Sequence, residues 1–172
     1  MSRAVDEGVL LDRGGRVYLA DEAGIRPIAV GWTVGVMGDD VLLISCDDEA
    51  VCALTRQAVD GGATRALIDR IDVDRIGFDA ISADDGRIAL MSYGEDGQSL
   101  LLFDAAGRSL GTLEGGATGF NEMPRWLPGD RGMLYVAGST GHWIRSVDGE
   151  WVSEPIPGLE GISSEVALVV SW

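Results

Sequence analysis

Trp126 and Trp172 lie 46 positions apart, and the same step backward from Trp126 reaches Ala80 and then Val34. Val34, Ala80 and Trp126 open similar stretches: Val34-Gly-Val-Met-Gly-Asp-Asp-Val-Leu-Leu-Ile, Ala80-Ile-Ser-Ala-Asp-Asp-Gly-Arg-Ile-Ala-Leu and Trp126-Leu-Pro-Gly-Asp-Arg-Gly-Met-Leu-Tyr-Val. In each, short apolar runs flank a turn rich in Gly and Asp. Strand–turn–strand units recurring at such an interval cannot each form a core alone, so they bury their faces by stacking on their neighbours. The chain is thereby restricted to a repeat architecture.

The third repeat reads most plainly. Residues 79–82 form a first strand, Asp84-Asp85-Gly86 a turn, and 87–93 a second strand. Gly94-Glu95-Asp96-Gly97 leads into 99–104, and Ala105-Ala106-Gly107 into 108–113. Short apolar runs separated by such turns predict a four-stranded antiparallel meander. The same order is predicted for 33–37, 41–46, 51–56 and 64–68, and for 125–127, 133–137, 142–147 and 151–156.

Near the start, 8–11, 16–20 and 26–30 read as a meander without its first strand, while 165–172 reads as a first strand with nothing after it. Together the two ends would complete one sheet and remove its exposed edges. The predicted fold is all-β: a β-propeller of four blades of four antiparallel strands, the N- and C-terminal strands sharing one blade, as a single domain over 1–172. Two chains forming eight blades as a homodimer, or a piece of a larger ring, are the alternatives.

Ser82-Ala83-Asp84-Asp85-Gly86-Arg87-Ile88-Ala89-Leu90 resembles the Ser-Pro-Asp-Gly-Arg/Lys-x-Ile-Ala-Phe signature of TolB-like propeller repeats, with Ala for Pro and one additional Asp. Trp126-Leu127-Pro128-Gly129-Asp130-Arg131 is similar, with Gly and Asp exchanged. WD-repeat-like blades share the period, but no Trp-Asp dipeptide or Gly-His opening occurs. Ser146-Val147-Asp148-Gly149-Glu150-Trp151 is similar to the Asp-box turn of sialidases, a structural turn that implies no activity here. The resemblance implies a scaffold that hosts many unrelated functions.

Net charge is −15, from 28 acidic and 13 basic residues, and all the basic ones are Arg. That balance opposes phosphate binding, so nucleic acid is not an expected partner. The longest apolar runs, 41–44, 99–103 and 166–170, are of strand length, well short of the roughly 20 residues that span a bilayer as a helix. The first residues lack the apolar core of a secretion signal, and the expected location is cytoplasmic, in a bacterial protein. Cys46 and Cys52 lie on adjacent strands: a five-residue loop would make them face each other, a four-residue loop would turn them apart. Two reduced cysteines are expected in that compartment.

No cofactor or metal is expected. Asp39-Asp40, Asp47-Asp48-Glu49, Asp72-Val-Asp74 and Asp84-Asp85 lack the spacing of a calcium loop, and turn chemistry accounts for them. His142 is the single histidine, with no Gly-x-Ser-x-Gly elbow before it, so no catalytic residues are assigned. In a propeller, connections between blades share one end with the second-to-third-strand loops. That end would carry Asp47, Asp48, Glu49, Asp72, Asp74, Glu95, Asp96, Glu122 and Glu160, interrupted by Arg70, Arg75 and His142. The expected function is a non-enzymatic protein–protein interaction scaffold with an acidic loop face. Asp47, Asp48, Glu49, Glu95, Asp96, Phe120, Glu122, Met123 and His142 are its partner-binding residues, and Phe120 and Met123 its apolar anchors. An acidic inhibitor or immunity protein blocking a basic enzyme, and a carbohydrate-binding or carbohydrate-active propeller, are the alternatives. Most of the tryptophans are expected to pack between blades.

Overall fold

The computed structural model describes residues 2–5, 8–47, 51–72, 76–83, 86–94, 97–115, 124–127 and 132–161, and only the backbone of 2–5, 71–72, 76–83 and 94. Sixteen strands, with no helix among the described residues, form four antiparallel four-stranded sheets. The first holds β1 (Ser2–Val5), β2 (Gly8–Asp12), β3 (Arg16–Asp21) and β4 (Gly24–Val30). The second holds β5 (Trp32–Met37), β6 (Asp40–Cys46), β7 (Val51–Ala58) and β8 (Thr64–Asp72). The third holds β9 (Ile76–Ala83), β10 (Arg87–Gly94), β11 (Gly97–Asp104) and β12 (Ser109–Glu114). The fourth holds β13 (Arg125–Trp126), β14 (Met133–Ala137), β15 (Thr140–Val147) and β16 (Glu150–Glu160). In every sheet the spatial order follows the chain, as expected of a meander.

The turns explain the register. Asp148 and Gly149 both take positive φ, 52° and 88°, between the paired Val147 and Glu150. That is the Asp-Gly hairpin geometry whose twist matches the flanking strands. At the third-to-fourth-strand turn of the other sheets an Asp performs the same task. Asp21 accepts the Ala23 amide, Asp60 the Gly62 amide, and Asp104 the Ala106 amide, each at 2.8 Å. These side chains substitute for a backbone turn bond.

Three apolar layers stack the sheets in chain order. Leu10, Val17, Leu19 and Ile28 meet Val41, Leu43 and Val59 between the first and second sheets. Met37, Leu42, Ile44 and Leu54 meet Ile88 and Leu90 between the second and third. Ala89, Met91, Leu100 and Leu102 meet Met133, Tyr135 and Ile144 between the third and fourth. Neighbouring residues of β6 and of β10 thus enter opposite layers. A strand covered on both faces is apolar without alternation, which is why 41–44 reads as a continuous run. Each fully buried Leu or Ile here contributes about 2 kcal/mol. The first strands of the last three sheets run side by side, β5 against β9 and β9 against β13.

The first sheet departs from expectation. The edge of β2 reserved for the C-terminal strand is filled by β1, in register from Ser2↔Leu11 to Val5↔Gly8. A hairpin between adjacent strands closes a very short loop, whereas recruiting the far end of the chain closes the longest one, so local pairing costs less entropy. Residues 165–172 lie outside the described residues.

Candidate functional site

The loop end predicted to carry function is organised around β6 and β7. Asp47 follows β6 and is exposed, its carboxylate accepting the Val51 amide at 2.9 Å while its own amide donates to the Val51 carbonyl at 3.0 Å. Position 47 is thus the hydrogen-bonded partner of 51, and Cys46 and Cys52 are the non-hydrogen-bonded pair, where side chains approach most closely. They are joined by a disulfide, with Cα atoms 3.9 Å apart. This corrects the expectation of two reduced thiols: the loop counts five residues, which sets both sulfurs on one face.

Beside this hairpin, β5 begins at Trp32, paired with Ile44, three residues before Asp47 along β6. Trp32 is 41% exposed and Val30 73%. The strand start is held by Asp12, whose carboxylate accepts both the amide and the hydroxyl of buried Thr33 at 3.1 Å. The Gly31 amide donates to the Gly15 carbonyl at 2.8 Å. Arg13 and Arg16, on the same turn of the first sheet, are exposed. Glu160, paired with Thr140, is exposed at the corresponding end of the fourth sheet.

Of the predicted partner-binding residues, Asp47 stands where expected. Asp48, Glu49, Glu95, Asp96, Phe120, Glu122 and Met123 lie outside the described residues, as do Asp74 and Arg75 of the wider rim. His142 does not sit on a loop. It lies within β15, opposite Tyr135 on β14, with the two rings 5.1 Å apart. Its Nδ1 is 3.1 Å from Ser153 Oγ, which is 2.8 Å from the Tyr135 hydroxyl. Burial pushes the Tyr135 phenol up, and the Ser153 hydrogen bond partly offsets this. Serine beside imidazole is a pairing that nucleophilic catalysis uses. Here the third member is a phenol set in the apolar layer facing the third sheet, so the three side chains serve to tie β14, β15 and β16 together.

Acidic side chains are not confined to the loop end. Asp21, Asp60 and Asp104 stabilise turns at the opposite end, and Asp40 pairs with Arg56. The Asp104 carboxyl is held below the usual range chiefly by the Arg108 amide; loss of hydration opposes this, and the Arg108 guanidinium and the Ala106 amide add to the lowering. Among the described residues no group of three His, Cys, Asp or Glu side chains is arranged to hold a metal ion.

The tryptophans divide. Trp126 and Trp151 pack against the layer between the third and fourth sheets, edge to face at 6.1 Å, and Trp151 donates its indole N–H to the Leu110 carbonyl at 3.0 Å. Trp32 and Trp143 are partly exposed, Trp143 with the Arg145 guanidinium 5.5 Å from its ring. Sequence reasoning missed Trp32 as a surface residue; its place directly after Val30-Gly31, on a connection between meanders, was the available signal. No helix among the described residues is long and apolar enough to cross a membrane. No protein-family model matches the chain, and a search of curated proteins returns no match.

Proposed function

We propose that the four stacked sheets close into one four-bladed ring and that the protein is a non-enzymatic interaction module whose loop end binds a basic protein segment. The observation that carries this reading is the joint exposure of Asp47, just past the end of β6, of Trp32, paired with Ile44 three residues before it, and of Val30. Carboxylate charge steers a basic partner, and a tryptophan on the adjoining strand supplies the apolar contact that holds it. Trp32 and Val30 join the expected apolar anchors Phe120 and Met123, which lie outside the described residues. Arg13 and Arg16 form a basic margin on the first sheet that turns a like-charged segment toward Asp47. The net charge of −15 favours the same class of partner over the whole surface.

Ring closure is supported by the stacking itself. The faces left over are those of the first sheet bearing Val9, 40% exposed, and of the fourth bearing Trp143, 37% exposed. Each alternates with a residue of a buried layer, Leu10 and Ile144, and so lies on the opposite face. In the ring these two faces meet. Light scattering should give the monomer mass of 18.2 kDa; twice that mass would replace closure within the chain by two chains sharing eight blades.

The binding reading is tested on an array of synthetic peptides, basic and acidic, with and without an aromatic residue. Asp47→Asn removes the charge but keeps an acceptor for the Val51 amide, and Trp32→Ala removes the anchor. Basic aromatic peptides should bind wild type, and each substitution should weaken them about tenfold, near 1.4 kcal/mol. Equal binding of acidic and basic peptides, or no effect of either substitution, overturns the proposal.

A further inference from the structure

Cys46 and Cys52 close the β6–β7 hairpin immediately beneath Asp47. Cys46 is half-buried, whereas Cys52 has no exposed surface and belongs to the layer between the second and third sheets. An attacking thiolate therefore meets the Cys46 sulfur first. The residue that follows Cys46 in the chain is the exposed Asp47, and the whole chain carries a net charge of −15. Arg70, next to Ile71, the partner of Cys52, is exposed where the register between β7 and β8 shifts.

We propose that this disulfide is a thiol-exchange site selective for cationic or uncharged thiols over anionic ones, and that its state sets how firmly the hydrogen-bonded pair Asp47 and Val51 is held. In the first step a thiolate bonds to Cys46 Sγ, the disulfide breaks, and Cys52 leaves as a thiolate that takes a proton from water. A second thiolate then attacks the reductant's sulfur in the mixed disulfide and releases Cys46. Two electrons pass from the two thiols to the cysteine pair, and the reductant departs as its own disulfide. The apolar residues beside the pair, Leu42, Ile44 and Leu54, stay buried between sheets, so the change is confined to Asp47 and Val51. These readouts need no binding partner, so the inference fails or holds separately from the proposed function.

The test uses the full chain, air-oxidised. Intact mass and thiol titration establish the starting bond. Opening rates are then compared for cysteamine and mercaptoacetate, each referred to its thiolate concentration and to a neutral model disulfide. Cysteamine should open the bond about tenfold faster at low ionic strength, with the ratio shrinking in salt and in Asp47→Asn. Hydrogen exchange should then quicken at the amides of Asp47 and Val51 while Leu42 and Leu54 stay protected, and Cys46→Ala should show the same pattern without reductant. Two titratable thiols in the oxidised protein, equal rates for the two thiols, or loss of protection at Leu42 and Leu54 on reduction would each overturn it.

Discussion

Asp12 accepts both hydrogen bonds that Thr33 can donate, amide and hydroxyl, each at 3.1 Å. The pair joins the end of β2 to the start of β5, linking the first sheet to the second. Thr33 is buried, so loss of the carboxylate strands two donors away from water. Asp12→Ala is expected to cost about 2 kcal/mol in urea unfolding, and Thr33→Val, which removes the hydroxyl with its need for a partner, about 1 kcal/mol.

Gly107 ends the turn after β11 with φ of 82°, and a Cβ there would sit 2.1 Å from the Leu67 carbonyl oxygen of the second sheet. The third sheet rests on the second through that bare backbone. Gly107→Ala should lower stability by roughly 2 kcal/mol or more, since both the conformation and the contact exclude a side chain. Gly86→Ala, where a Cβ meets nothing within 4 Å, is the control and should change stability little.

The Asp104 carboxyl, lowered by the Arg108 and Ala106 amides and the Arg108 guanidinium, links turn geometry to pH. A depressed acid contributes stability above its unfolded value, near 3.9, and that contribution is lost as pH falls through the lower folded value. Thermal midpoints of wild type and Asp104→Asn, taken from pH 6 to pH 2, should converge toward the acid end. Parallel curves would remove Asp104 from the acid limb.

Tyr135 acts at the opposite extreme. Its raised phenol ionises later than in the unfolded chain, so folding is weakened as pH rises above about 10. Of the three tyrosines, one should titrate late by ultraviolet absorbance, and Tyr135→Phe should abolish that fraction. Ser153→Ala, which removes the hydrogen bond that lowers the value, should push the late step later still.

The strand plan was legible because its signals are local. Gly and Asp at Gly38-Asp39, Gly94 to Gly97 and Asp148-Gly149 mark turns whose chemistry depends on neighbouring residues only. β1 escaped because residues 2–5 are few, carry Arg3 and show no alternation. The recurring Asp at the third turn was present in the letters, but its carboxylate-to-amide bonds are visible only once the turns are folded.

The candidate site was less legible, for reasons of parity and of stacking. One residue more or less in the loop after Cys46 decides whether two sulfurs share a face, and composition carries no such count. His142 lay one turn from the loop in sequence yet belongs to a strand, where alternation directs it to Tyr135 and Ser153. Trp32 became a surface residue because Gly31 and Asp12 fix where β5 starts. By itself, then, the sequence determined the repeat, the strands and the acidic character, all of which follow from nearest neighbours and composition. Only the tertiary structure decided which residues share a face, because register and sheet stacking are set by contacts between residues far apart in the chain.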